Sequence, residues 1–141
     1  MITVFVDTNV LIDFLADRRP FSVSAARLFS LSVKGEVKVF ISAVSYNNIY
    51  YILRQSLSHK ETLALLNEIT TMTEMIDVTK TVIEQSLKSD FKDFEDAIQY
   101  NCALSNAKIE LIITRDVKGF QKSLLPVMTT DEAIKLIAVG R

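Results

Sequence analysis

The chain has 141 residues, 49% of them hydrophobic, with three glycines, two prolines and one cysteine. That is enough for one domain with one sizeable core, and it leaves little room for long linkers. A formal net charge of −1 excludes a protein that grips nucleic acid by overall charge, so any such contact must come from a local patch.

Mean hydropathy is high, at +0.24, yet no apolar run approaches the roughly 18 residues of a spanning helix. The N-terminal residues lack the charged segment and long apolar run of a signal peptide. The expectation is a cytoplasmic protein with no membrane contact. Cys102 has no partner for an internal disulfide, suits a reducing compartment and reads as a small core residue.

Residues 2–6 form a short apolar run rich in β-branched side chains, read as a strand buried on both faces. The polar cluster Asp7-Thr8-Asn9 follows, and Val10, Leu11, Phe14 and Leu15 then take helical spacing. Arg18-Arg19-Pro20 breaks that helix. A second helix is expected over 22–33 with Ala25, Ala26, Leu28 and Phe29 inward, closed by Gly35, and a second strand over 37–41. The third helix is predicted over 42–57. Ser58 and Glu61 have the spacing of a capping box that opens a fourth. Residues 75–78 suggest a short strand and 79–88 a helix. Asp93-Phe94-Glu95-Asp96 opens a helix running to about 106. Residues 111–114 are a β-rich run ending in Arg115-Asp116, 127–128 an edge strand, and Thr129 to Glu132 the cap of a last helix.

Strands alternating with helices predict an α/β fold, a three-layer α/β/α domain over 1–141 with a central parallel sheet. In such folds ligands bind outside the carboxyl ends of the strands. Asp7 and Asp116 both follow strands, and Asp93 and Asp96 share one face of a helix start. Spacing alone leaves two readings open for these acids: turn and helix caps, or oxygen ligands for a hard divalent cation. Asp13, Asp17, Asp90 and Asp131 are read as solvated or capping residues.

Four blocks carry a resemblance. Val4-Phe5-Val6-Asp7-Thr8-Asn9-Val10-Leu11-Ile12-Asp13 resembles the opening motif of the PIN-domain family, and Ile41-Ser42-Ala43-Val44-Ser45 its second block. Asp93-Phe94-Glu95-Asp96-Ala97-Ile98 is similar to the third. Ile113-Thr114-Arg115-Asp116-Val117-Lys118-Gly119-Phe120 is similar to the fourth. The four fall in order and span essentially the whole chain. The resemblance implies a Mg²⁺- or Mn²⁺-dependent endoribonuclease of the VapC type, the toxin of a toxin–antitoxin pair. RNA would be the substrate and a small antitoxin protein the partner, and the toxin would be a homodimer. By motif position, Asp7, Asp96 and Asp116 would be the catalytic, metal-holding aspartates. Asp93 would be a neighbouring metal acid, and Thr8 and Thr114 would orient the carboxylates.

One position departs from the pattern. Counting from Ser42, the family's usual glutamate falls at Asn48, on a helical stripe with Val44, Tyr51 and Ile52. An amide can bind a metal or water through its oxygen but neutralises no charge, so the implied site is one negative charge short. An alternative function follows, a PIN fold with weakened turnover that acts by protein or RNA contact. A haloacid-dehalogenase-type phosphatase also begins with an Asp after a first strand, but it needs a second Asp where this chain has Asn9.

His59 is the only histidine, which excludes a two-histidine ribonuclease mechanism, and it reads as a solvated helix residue. Arg115 and Lys118, with Arg18, Arg19 and Lys92, lie near the acids in sequence and are candidates for phosphate contact or ordinary surface. Tyr46 and Tyr50 share a helical face, suited to base stacking or to core packing.

Overall fold

Residues 1–140 are described by a computed structural model. Its centre is a five-stranded sheet in the order β3-β2-β1-β4-β5, with every pairing parallel. The strands are β1 (Ile2–Val6), β2 (Val37–Ser42), β3 (Glu74–Ile76), β4 (Leu111–Ile113) and β5 (Val127–Met128). The helices are α1 (Thr8–Leu15), α2 (Phe21–Val33), α3 (Ala43–Leu53), α4 (His59–Met72), α5 (Lys80–Leu87), α6 (Phe94–Leu104) and α7 (Thr130–Val139).

Period-two alternation sorts the strand side chains into two cores. Val4 and Val6 of β1, Val37, Val39 and Ile41 of β2, and Leu111 and Ile113 of β4 pack with α1, α2, α3, α4 and α7. Phe5, Phe40 and Ile112 point the other way, onto Val82 of α5 and Ile98, Cys102 and Ala103 of α6. Helices thus cover both faces, and the three-layer α/β/α arrangement predicted from element order is found. Cys102 is fully buried, and desolvation pushes its thiol up to about 11, as befits an inert core residue.

The order of strands fixes where a ligand site opens. From β1 the chain runs outward through β2 to β3, then returns to the far side of β1 to build β4 and β5. The connections leaving β1 and β4 therefore diverge, and a crevice forms between their carboxyl ends.

Several boundaries differ from expectation. β3 begins at Glu74 because its register pairs Ile76 with Ser42. Helix α3 stops at Leu53, not 57. Residues 54–57 turn instead, with Leu57 N–H on the Leu53 carbonyl and Arg54 Nη1 donating to the Leu57 carbonyl, ahead of the Ser58–Glu61 capping box that starts α4. Ala26 faces solvent while Ala25, Leu28 and Phe29 are buried. A 3₁₀ turn, Val117–Phe120, follows Asp116; hydrophobic periodicity gave no sign of it.

Candidate metal centre

The site grows out of the β1–β4 pairing. Val6 lies opposite Ile113, and the ladder continues one step as Asp7 N–H donates to the Ile113 carbonyl at 3.0 Å. This brings the Thr114 hydroxyl within 2.8 Å of Asp7 Oδ2, to which it donates. Asp7 Oδ1 accepts from Thr8 N–H at 2.8 Å, capping α1. Asp7 is 1% exposed. Burial pushes its carboxyl up to about 6, helped by the nearby charges of Glu95 and Asp116 and opposed by the Thr114 and Thr8 hydrogen bonds.

Helix α6 delivers the second edge. Asp93 is its N-cap, accepting from Asp96 N–H at 2.9 Å. Asp96 faces Asp7; burial first, then repulsion from Asp7, Asp93 and Asp116, pushes its carboxyl up to about 7. Glu95 turns into the same space. Oxygens from Asp7, Glu95 and Asp96 all lie within 4.8 Å of one another. Burial and the charges of Asp96 and Asp93 raise the Glu95 carboxyl, against a hydrogen bond from Asn48.

Asp116 closes the site from β4. Its Oδ1 accepts Gly119 N–H at 3.1 Å, and its backbone N–H donates to Thr114 Oγ1 at 3.0 Å. At Gly119 a side chain would crowd the acids. A Cβ built there would stand 2.6 Å from Asp116 Oδ2 and 2.7 Å from Asp96 Oδ2, so the two carboxylates flank the point a side chain would fill.

The donor set fits a hard divalent cation. Four carboxylates face one another around a crevice, and among the described residues no lysine or arginine pairs with any of them. Oxygens on one Mg²⁺, each at about 2.1 Å, lie at most about 4.2 Å apart. Small side-chain rotations would close Asp7, Glu95 and Asp96 to that spacing. The raised protonation of Asp7 and Asp96 comes first from burial and then from their like-charged neighbours.

A buried hydroxyl–amide cluster holds the strand ends beneath the acids. Thr8 Oγ1 and Ser45 Oγ are 2.7 Å apart. Gln99 Nε2, one turn after the α6 acids, donates to both at 2.9 and 3.0 Å, leaving its Oε1 without a protein partner. The Thr114 hydroxyl meets the Asp7 carboxylate, whereas Thr8 reaches it through its backbone N–H and turns its hydroxyl to Ser45 and Gln99.

Three expectations need correcting. Asp93 and Asp116, both expected among the metal acids, lie outside the group of three, each capping the turn that follows it; the α6 acid that joins Asp7 and Asp96 is Glu95, which spacing passed over. Asp13 is not on a solvated face but buried at 1% exposure. It takes two hydrogen bonds from Arg115, at 2.7 and 3.0 Å, and the guanidinium also lies 4.2 Å from the Phe21 ring centroid. Arg115 is therefore spent on bracing α1 against the β4 loop. Finally, Asn48, expected to leave the site one charge short, has an acid for a neighbour. Asn48 Nδ2 donates to Glu95 Oε2 at 3.3 Å, so a carboxylate is present on that side.

Asp90, Lys92, Asp93, Asp96, Asp116, Lys118 and Lys122 line a cleft of about 480 Å³ running from the acids. Lys122 lies beyond the fourth motif block, which ends at Phe120. Arg18 and Arg19 are exposed and do not line this cleft. Tyr46 and Tyr50 pack against the larger core, and Tyr50 Oη is 2.9 Å from Nδ1 of the exposed His59.

The PIN domain family model matches residues 3–118. Ribonuclease VapC1 of Aquifex aeolicus is 30% identical over 137 residues, covering 92% of this chain and 91% of the relative. Among solved structures, FitAB bound to an IR36 DNA fragment superposes with a TM-score of 0.68 at 17% identity, over 90% of this chain and 94% of that one. VapBC2 from Rickettsia felis, bound to a promoter DNA fragment, gives 0.67 at 14% identity over 90% and 97%. VapC20 of Mycobacterium tuberculosis, a sarcin-ricin loop cleaving toxin, gives 0.61 at 18% identity over 77% and 86%.

Proposed function

The chain belongs to the PIN-domain family, and from that premise we propose that it is a Mg²⁺- or Mn²⁺-dependent endoribonuclease, the toxin of a VapBC-type pair. The observation that carries the reading is the convergence of Asp7, Glu95 and Asp96 within 4.8 Å at the carboxyl ends of the central strands. A divalent ion bound there supplies Lewis-acid activation of water and neutralises charge developing on an RNA phosphodiester. Asp7, Glu95 and Asp96 hold the ion, and Asp116 adds its carboxylate from across the Gly119 position, opposite Asp96. Thr114, donating to Asp7 and accepting from Asp116 N–H, keeps the two strand-end acids in register. Lys92, Lys118 and Lys122, along the same cleft, hold the phosphate backbone, which compensates locally for a chain whose net charge is −1.

Residues 1–141 are taken as one PIN-like domain working in the cytoplasm as a homodimer with a small antitoxin. Two kinds of observation support this. Relatives of the fold are solved as VapBC and FitAB assemblies, and among the described residues no helix is long and apolar enough to cross a membrane. The alternative, a PIN-fold binding module, drew its support from Asn48, and the Glu95 carboxylate beside that amide weakens it.

The test is cleavage of single-stranded RNA by purified protein with Mn²⁺, with EDTA, and with the Asp96→Asn variant. Cleavage that needs the ion and Asp96 is the expected result. Cleavage that persists in EDTA or in the variant refutes the assignment.

A further inference from the structure

We propose that Glu95 is the site's replacement for the acid absent at position 48: the carboxylate comes from the first turn of α6 instead of from α3, and Asn48 is the residue that positions it. The inference rests on the metal-dependent reading above and deepens it.

Acids in the first turn of a helix have ordinary uses, and this chain displays them. Glu61 in α4 and Glu132 in α7 turn back to bond their own N-cap backbone N–H groups, which satisfies orphan donors at no cost in charge burial. Glu95 does neither that nor extend into water. It is half-buried, with an oxygen in the same 4.8 Å group as Asp7 and Asp96. Its hydrogen-bond partner is an amide on another helix, Asn48 Nδ2 at 3.3 Å. Placing a third carboxylate among like charges is unfavourable in the bare protein, so the arrangement makes physical sense around a cation.

The two side chains fit as an exchanged pair. A glutamate at 48 would meet Glu95 as a second carboxylate and repel it. Asparagine offers an N–H₂ donor and no charge, the complement a carboxylate needs. The pair spans α3 and α6, the two helices whose Ser45 and Gln99 are already joined beneath the site, so an acid delivered from either helix reaches the same space. What the sequence presents as a lost acid is an acid moved to a neighbouring helix.

The experiment is a calorimetric Mn²⁺ titration of the parent, Glu95→Gln, Asn48→Ala and the exchanged double variant Asn48→Glu/Glu95→Gln, with thermal midpoints recorded with and without Mn²⁺. Glu95→Gln is expected to lose at least about tenfold in Mn²⁺ affinity and most of the Mn²⁺-induced rise in midpoint, while its metal-free midpoint is unchanged or higher. Asn48→Ala should lose a smaller factor, about threefold, and that loss should vanish when Glu95 is already glutamine, since the amide acts only through Glu95. The double variant should recover to within about threefold of the parent. Glu95→Gln binding Mn²⁺ as the parent does, or a double variant no better than Glu95→Gln alone, overturns the exchange and leaves the metal site standing. A parent that takes up no Mn²⁺ overturns the metal reading itself, and this inference with it.

Discussion

Asp7→Asn provides a quantitative test of a cation-seeking cluster, because its effect on the metal-free protein has the opposite sign to that of an ordinary buried-residue substitution. The Asp7 carboxyl moves from 3.8 to about 6 on folding. At about 1.36 kcal/mol per pKa unit, its charge costs the native state about 3 kcal/mol once both states are ionised. The native state keeps its proton over a range in which the unfolded chain has lost it. Stability therefore falls as pH rises from about 4 through about 6, and this contribution is constant above. Asparagine removes the charge but keeps one acceptor. Its oxygen can take the Thr8 N–H, while its N–H₂ faces the Thr114 hydroxyl, which already accepts Asp116 N–H. That mismatch costs about 1 kcal/mol. The metal-stripped variant should thus be about 1–2 kcal/mol more stable than the parent at pH 7.5. At pH 4 the advantage should disappear. Urea unfolding at the two pH values measures both differences, and adding Mn²⁺ should stabilise the parent alone. A variant that is less stable than the metal-free parent by more than about 1 kcal/mol at pH 7.5 would show that the Asp7 carboxylate is a structural cap.

Gly119→Ala places a methyl against Asp116 Oδ2 and Asp96 Oδ2; Mn²⁺ affinity measured by calorimetry should fall about tenfold while the far-ultraviolet circular dichroism spectrum is unchanged. Ion binding must displace protons from Asp7, at about 6, and Asp96, at about 7. Mn²⁺ affinity should therefore rise between pH 5.5 and 7.5, with proton release detectable by titration in buffers of different ionisation enthalpy. Arg115→Ala strands the Asp13 carboxylate, whose side chain is 2% exposed. Urea unfolding should show a loss of about 2–4 kcal/mol, a size that removal of a mere surface RNA contact would not produce.

The strands and the two strand-end acids were legible because each depends on a local pattern. β1, β2 and β4 are short apolar runs, buried on both faces, and Asp7 and Asp116 follow them directly. Asp13 and Glu95 were not legible, for a common reason. Asp13 interrupts the apolar stretch 10–15 and Glu95 lies in the polar first turn of α6; in both, spacing says which face a side chain leaves from but not which distant partner it meets. Asp13 is buried because Arg115, distant in sequence, comes to meet it. Glu95 is met by the Asn48 amide of α3, and only the oddity of a polar Asn48 beside Val44 and Ile52 hinted at a partner. Boundaries such as the end of α3 shifted because residues 54–57 contain neither glycine nor proline to mark the turn.

The two sides of the crevice differ in how firmly they are held. On the β1–β4 side, a backbone hydrogen bond, the Thr114–Asp7 contact and the Arg115–Asp13 pair are stacked in succession. Together they form a clamp linking the loop after β1 to the loop after β4. The α6 side is tied across the crevice by less: its first turn keeps its own Asp93 cap and Phe91 stacks on Tyr100, but Glu95 is held by one long hydrogen bond. On the metal-dependent reading, the start of α6 is the edge expected to adjust when an ion enters. Hydrogen exchange there should slow on ion binding while the β1–β4 edge stays as protected as before.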